Sequence, residues 1–196
     1  MRSGRIFGGP EDERFHVLFV CTGNICRSPT AEAIALRELA RYHGVPLAFA
    51  SAGSHAMEGR PATRQAVAAA TARGADLGQH RARELTRARV GQAGLVLCMA
   101  AEHRPFVLAY ERTAARRTFL LASFVRAVGG LPAASPAELV ELAAKEAYED
   151  PGDDIDDPIG RGDAVYAAVA ERLDSLVIQL VAVLAESAAS RQPGGP

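Results

Sequence analysis

The stretch Phe15-His16-Val17-Leu18-Phe19-Val20-Cys21-Thr22-Gly23-Asn24-Ile25-Cys26-Arg27-Ser28-Pro29 carries the information that decides the fold. Phe15–Val20 is a β-branched and aromatic run, which reads as a buried strand. Ser28-Pro29 opens a helix, because proline at the first helical position gives up only an N–H that would have no partner there. The connection between them packs two cysteines, an arginine and a Gly-Asn pair into a few residues. Cysteines this close admit a metal clip, a redox pair, or a nucleophile with a bystander.

Working outward, strands and helices alternate. Ala31, Ile34, Ala35, Leu39 and Tyr42 mark one apolar face of the first helix, expected to stop at Gly44. Pro46–Gly53 reads as a second strand, Pro61–Arg73 as a helix, and Gly94–Met99 as a third strand. A helix over Glu102–Tyr110, a strand over Arg116–Leu121 and a helix over Leu121–Val128 follow. Ser135-Pro136-Ala137-Glu138 has the form of a capping box, opening a helix to about Tyr148. After an acidic loop, Val165, Val169, Leu173, Leu176, Leu180 and Leu184 form one stripe on a last helix from Asp163 to about Glu186. Short apolar strands alternating with helices predict an α/β, Rossmann-like fold: a parallel sheet with helices on both faces. Ligands of such sheets sit at the carboxyl ends of the strands, where the Cys21–Arg27 loop lies.

The chain has 196 residues, enough for a single domain expected over 15–186, with disordered extensions expected at 1–14 and 187–196. Hydrophobic content of 48% and charged content of 23% are those of an ordinary globular protein. A net charge of −1 gives no reason to expect nucleic acid or an acidic membrane as partner. No apolar run approaches the ~18 residues that span a bilayer, and the Gly- and Pro-broken N-terminus does not read as a signal peptide, so a cytoplasmic setting is expected. Three cysteines, Cys21, Cys26 and Cys98, are too few for a disulfide framework.

Cys21 and Arg27 stand in the pattern C-x5-R, followed by Ser28. A loop feeding a helix N-terminus turns backbone N–H groups outward at the positive end of the dipole, which favours an anion. Gly23 and Asn24 are the residue types most able to take left-handed conformations, letting Thr22–Ser28 (Thr22, Gly23, Asn24, Ile25, Cys26, Arg27, Ser28) curl into a phosphate-binding nest. Arg27 adds a planar charged fork that matches two phosphate oxygens. The same field acts on Cys21: a helix N-terminus and a nearby cation draw a thiol from about 8.5 to between ~3.5 and ~7.5, so a thiolate is expected, with Ser28 donating a hydrogen bond to it. Zinc is disfavoured because Cys21-x4-Cys26 has no matching second pair and the histidines are scattered. A nucleotide loop of the G-x4-G-K-[ST] form is absent.

Thiolate attack on a phosphomonoester needs a proton donor for the leaving oxygen. The run Asp153-Asp154-Ile155-Asp156-Asp157-Pro158-Ile159-Gly160 offers candidates. Asp157 precedes a proline and is therefore held extended, suited to presenting a carboxylate from a rigid loop. From spacing alone, a solvated acidic loop competes with this reading.

Val20 to Pro29 resembles the active-site loop of the low-molecular-weight protein tyrosine phosphatases. Ser51-Ala52-Gly53-Ser54 resembles the family's second-strand turn, His80 to Thr86 its following segment, and Asp157-Pro158-Ile159-Gly160 its late general-acid motif. These cover roughly residues 15–186 in the family's order. The resemblance implies a four-stranded parallel sheet and no metal or organic cofactor. It also implies a phosphocysteine intermediate on Cys21, charge stabilisation by Arg27 and the loop amides, and Asp157 as general acid and then base. By the same resemblance Asn24 and Ser28 hold the loop, joined by Ser51, and the substrate is a phosphorylated protein (phosphotyrosine) or a small phosphomonoester. Cys26 is a redox candidate, either a resolving thiol or a packing residue; both readings stay open.

The sequence also departs from that pattern. Aromatics that line the family's cleft are replaced by Met57 and Ile159. Ile25 matches tyrosine-directed members, whereas relatives acting on phosphoarginine carry a smaller polar residue there. Arsenate reductases share the loop and fold and relay oxidation to further cysteines, one at the place of Cys98; with no Cys between His103 and Phe106, only a reductase using an external thiol remains as the alternative. A binding module without turnover is expected to have lost Cys21, Arg27 or Asp157. The Arg81, Arg83, Arg87, Arg89 cluster reads as a solvated helix face.

Overall fold

β1 (Phe15–Cys21) lies between β2 (Leu47–Gly53) and β3 (Leu95–Cys98), and β4 (Thr118–Leu120) follows β3; every pairing is parallel, in the order β2-β1-β3-β4. This four-stranded parallel sheet is seen in a computed structural model that describes residues 12–189. Of the extensions expected to be disordered, residues 1–11 and 190–196 lie outside the described residues. Asp12 is paired with Arg14 and His16, and residues 187–189 belong to the last helix.

Residues 16–21 of β1 are all buried because both faces of the sheet are covered. Val17, Phe19 and Cys21 point to one face, beneath α1 (Arg27–Leu39), α2 (Arg64–Thr71), α5 (Leu121–Val128), α6 (Pro136–Glu146) and α7 (Asp163–Ala189). Leu18, Val20 and Cys98 point to the other, beneath α3 (Arg87–Gln92) and α4 (Arg104–Tyr110). On α7 the buried set is Tyr166, Val169, Leu173, Val177, Leu180, Val181 and Leu184, while Val165 and Leu176 are only half-buried. A stripe taken every three or four residues drifts around a long helix, and the face packed on α1 follows the drift. Truncating a fully buried leucine here, such as Leu173 or Leu180, is worth about 2–5 kcal/mol.

Several boundaries differ from the expected ones for local reasons. α1 ends at Leu39, after which Arg41 and Tyr42 donate to carbonyls only three residues back, tightening the chain toward Gly44. α2 starts at Arg64 because the Thr63 hydroxyl caps it, accepting from the Ala66 amide at 3.2 Å. Ser135 likewise caps α6 through the Glu138 amide at 3.2 Å, but Glu138 reaches the amide of Ala134 rather than that of Ser135. α7 extends to Ala189. α3 was not anticipated. Its arginines do not form one solvated face with Arg81 and Arg83: Arg89 is buried against the Glu84 carbonyl, and Arg83 pairs with Glu32. Among the described residues no helix is long and apolar enough to cross a membrane.

The order β2-β1-β3-β4 places the first crossover on one side of β1 and the next on the other. The crevice that results opens at the carboxyl end of β1, directly beneath the loop after Cys21.

Candidate active site

The loop from Cys21 to Cys26 is held by its carbonyls. Cys21 O accepts from Ser54 N, Thr22 O from His55 N, Gly23 O from Met57 N, Ile25 O from Thr63 N and Cys26 O from Thr30 N, all at 2.9–3.1 Å. Asn24 O accepts from His80 Nε2 at 2.8 Å. In a trans peptide the N–H points opposite to its carbonyl. Six outward carbonyls therefore turn the amides of residues 22–27 toward the inside of the loop, which is an anion nest with α1 beginning behind it. Of the two residues expected to take left-handed geometry, Asn24 alone does so, at φ 53°. Gly53 sets how closely β2 approaches: a Cβ there would stand 2.5 Å from the Thr22 carbonyl.

The Asn24 side chain explains why asparagine suits that position. Its Nδ2 donates to Ser28 Oγ (2.9 Å) and Ser51 Oγ (2.8 Å), and its Oδ1 accepts from Arg83 N (2.8 Å). Ser51 passes its own hydrogen to Glu32 at 2.6 Å, and Arg83 clamps Glu32 with two bonds at 2.8 and 3.0 Å. Because Ser28 accepts from Asn24, its hydroxyl hydrogen is left to donate. Cys21 Sγ is 2.9 Å away, against 3.5 Å for the Ala52 carbonyl. The chain Arg83–Glu32–Ser51–Asn24–Ser28 thus ends on the sulfur of Cys21. Asn24 and Ser28 are fully buried, so their side chains lie behind the nest wall; Asn24 contributes its backbone amide to the nest, and Ser28 lies one residue beyond the amides turned inward. Burial drives the pKa of His80 below the ordinary histidine range, so the neutral ring serves as the donor that pins Asn24 O.

Cys21, Thr22, Gly23, Ile25, Cys26, Arg27, His55, Met57, Asp157 and Ile159 line one cavity of about 300 Å³. Arg27 is buried, with Nη1 on the Ile155 carbonyl (3.2 Å) and Nη2 on Asp157 Oδ2 (2.5 Å). Asp157 comes from a loop that is far from solvated at its root. Asp153 is buried against Arg126 (2.6 and 2.8 Å), and that pairing holds its pKa below the usual carboxylate range. Ile155 N donates to Met99 O at 2.7 Å, and Ala101 N to Asp154 Oδ1 at 2.8 Å. Among the described residues no group of three or more His, Cys, Asp or Glu is placed to hold a metal ion. The arrangement is equipped to seat a tetrahedral oxyanion against a thiol, with a carboxylate at its mouth.

Residues 16–136 match the family described as low molecular weight phosphotyrosine protein phosphatase. The chain belongs to that family. It is therefore a cysteine-dependent phosphatase. It is 31% identical over 166 residues to a protein-arginine-phosphatase of Geobacillus stearothermophilus, spanning 85% of this chain and 93% of the relative. The solved structure of an arginine phosphatase from that organism superposes with a TM-score of 0.72 at 28% identity, covering 92% and 99% of the two chains. A low molecular weight protein tyrosine phosphatase from T. tengcongensis superposes with a TM-score of 0.68 at 33% identity, covering 86% and 98%.

The phosphatase keeps its three cysteines as free thiols in different surroundings. Cys26 contacts Thr63 Oγ1 at 3.3 Å and donates toward Tyr166 Oη at 3.7 Å, and burial raises its pKa. Cys98 faces the opposite side of the sheet from Cys21; burial pushes its thiol up to about 12. Cys98 does not line the cavity, and the arsenate-reductase alternative is not favoured by the family match. His55, Thr63, His103 and Tyr166 were missed in the sequence because each arrives from a different element, with no spacing to flag it. His80 and Arg83 lay inside the quoted His80 to Thr86 segment without a role attached, and Glu32 lies just past the quoted loop.

Proposed function

We propose that this phosphatase hydrolyses phosphotyrosine in proteins, with Cys21 as nucleophile, Arg27 and the loop amides as the phosphoryl-binding group, and Asp157 as general acid and base. As the phosphoryl group enters, Arg27 exchanges the Asp157 carboxylate for phosphoryl oxygens; Asp157, released from the cation, takes up a proton from solvent and faces the leaving oxygen as the acid. The Cys21 thiolate forms the S–P bond while the P–O bond to the leaving group breaks and Asp157 supplies the proton. Asp157, now ionised, takes a proton from water; the water oxygen bonds phosphorus, the S–P bond breaks, and inorganic phosphate leaves. The charge on the equatorial oxygens is met throughout by groups already in place.

The observation that carries the substrate assignment is the apolar wall of the cavity. Ile25 lines it, and Met57 and Ile159, 44% and 49% exposed, form its lip. A flat aromatic ring loses little on leaving water for such a lip, whereas a phosphoguanidinium group finds Asp157 as the one carboxylate in that lining for its several N–H donors. A cytoplasmic setting belongs to the same proposal and is supported by the three free thiols. The test compares a phosphotyrosine peptide, an aryl phosphate, phosphoarginine and thiol-dependent arsenate reduction on one preparation, with Cys21→Ser as the blank. We expect kcat/KM for phosphotyrosine to exceed that for phosphoarginine by about tenfold or more, and Ile25→Thr to narrow the gap. Preferred turnover of phosphoarginine by the unmodified enzyme would overturn the assignment, and arsenite formation without phosphate release would overturn hydrolysis itself.

A further inference from the structure

His103 has no part in the steps above, yet it is buried against Thr22, which lines the cavity. It sits in the short 3-10 turn Ala101–His103 after β3 and is 1% exposed. Its Nε2 is 3.0 Å from Thr22 Oγ1, and its Nδ1 is 3.0 Å from Ala100 N and 3.1 Å from Ala100 O. The Ala100 N–H can only donate and is aimed at Nδ1; we assign the lone pair to Nδ1 in preference to an Nδ1–H donating to the Ala100 carbonyl, which leaves the hydrogen on Nε2. Burial, with the charge of Arg27 second, lowers the pKa of His103, so this neutral tautomer is the working one. Glu102 Oε1 stands 3.5 Å from the same nitrogen, but from an exposed side chain and at the longer distance. Nε2–H therefore donates to Thr22.

Arg27 Nη2 also donates toward Thr22 Oγ1, at 3.4 Å. The oxygen then receives two N–H groups, one on each lone pair, and its single hydrogen has only the donor role left. Thr22 lines the cavity that holds Cys21 and Arg27. We propose that the Thr22 hydroxyl donates to a non-bridging oxygen of the bound phosphoryl group, and that His103 is the positioning residue that turns it there. The inference rests on the cavity being the phosphoryl site. It adds a side-chain ligand to the backbone nest, fixed from the turn after β3, whereas the nest follows β1.

The experiment measures kcat, KM and inhibition by inorganic phosphate and orthovanadate. Thr22→Val keeps the shape and removes the hydroxyl. It is expected to weaken both inhibitors and lower kcat/KM by about tenfold, the value of one hydrogen bond to a charged group. Thr22→Ser is expected to recover wild-type values to within about twofold. His103→Leu should reproduce the valine variant and His103→Gln, which retains an N–H donor, should restore it. The double variant Thr22→Val/His103→Leu should be no worse than Thr22→Val alone, because the two residues form one device. Thr22→Val with wild-type phosphate inhibition in an active enzyme would overturn the inference alone, as would losses that multiply in the double variant. A wild-type protein that neither hydrolyses aryl phosphate nor is inhibited by phosphate would overturn the phosphoryl-site reading, and this inference with it.

Discussion

The two loops that meet in the cavity are built differently. Residues 22–27 are braced at every carbonyl from Cys21 to Cys26, and Asn24 uses its whole side chain behind them. The loop carrying Asp157 is braced only at its root, by Asp153, Asp154 and Ile155. Asp157 itself is 46% exposed, held by Arg27 and by the Ile159 amide at 3.1 Å. The first loop must present one geometry to an oxyanion in two successive displacements, so rigidity serves it. In the proposed mechanism the second must let its carboxylate leave a cation, take up a proton, give it to the leaving group and take one back from water, and only its root is fixed. On that mechanism, attack and protonation are divided between a rigid half and a releasable one.

The sharpest way to break that comparison is to remove a reacting group. Cys21→Ser and Arg27→Ala should each lower aryl phosphate hydrolysis by about 10³-fold or more, and Arg27→Lys should not rescue, since it lacks the fork. Next in size, Asp157→Ala should slow hydrolysis by about 10²-fold for a poor leaving group and less as the leaving group becomes more acidic. A rate loss indifferent to leaving-group pKa would remove Asp157 from the acid role.

Bracing can be tested separately from chemistry. Asn24→Ala strands polar partners in a buried setting and should cost about 2–3 kcal/mol in denaturant unfolding, with phosphate binding and kcat falling together. Arg126→Ala acts on the root of the other loop. It should cost about 1–2 kcal/mol, because Asp153 is buried while Arg126 is a third exposed, and lower kcat while leaving phosphate inhibition intact. Equal damage to phosphate inhibition by both variants would mean that the loops are not independent. The smallest effect concerns acid. His80 and His103 have pKa values lowered by burial, so between the folded and unfolded values the unfolded chain binds more protons. Their contribution to stability is complete above the unfolded value near ~6.5 and is lost as pH falls below it. Denaturant midpoints at pH 7.5 and 5.5 should therefore fall on acidification, and less so in His103→Gln.

The Cys21–Arg27 loop was legible in the sequence because one strand, one turn and one helix start carry all of it, and Asn24 and Ser28 fall at local spacings. Asp157 was legible through its proline and the family resemblance, but the burial of Asp153 was not, because Arg126 lies on another helix. Reading the Arg81–Arg89 run as a solvated face failed for the same reason: the partner of Arg83 is Glu32 on α1, and Arg89 folds back onto Glu84.

By itself the chain determined the alternation of strand and helix, the anion nest and the thiol at its mouth, since each follows from residues within a few positions of one another. Only the tertiary structure decided which side chains aim at that thiol and which aim away. Cys98 is turned to the opposite face by a one-residue offset in strand register, opposite Val20 rather than Cys21. Burial lowers the pKa of His80 and of His103, and Thr22 is brought against His103 by the pairing of β1 with β3. Burial and register belong to packing between elements distant in sequence, and no local pattern encodes them.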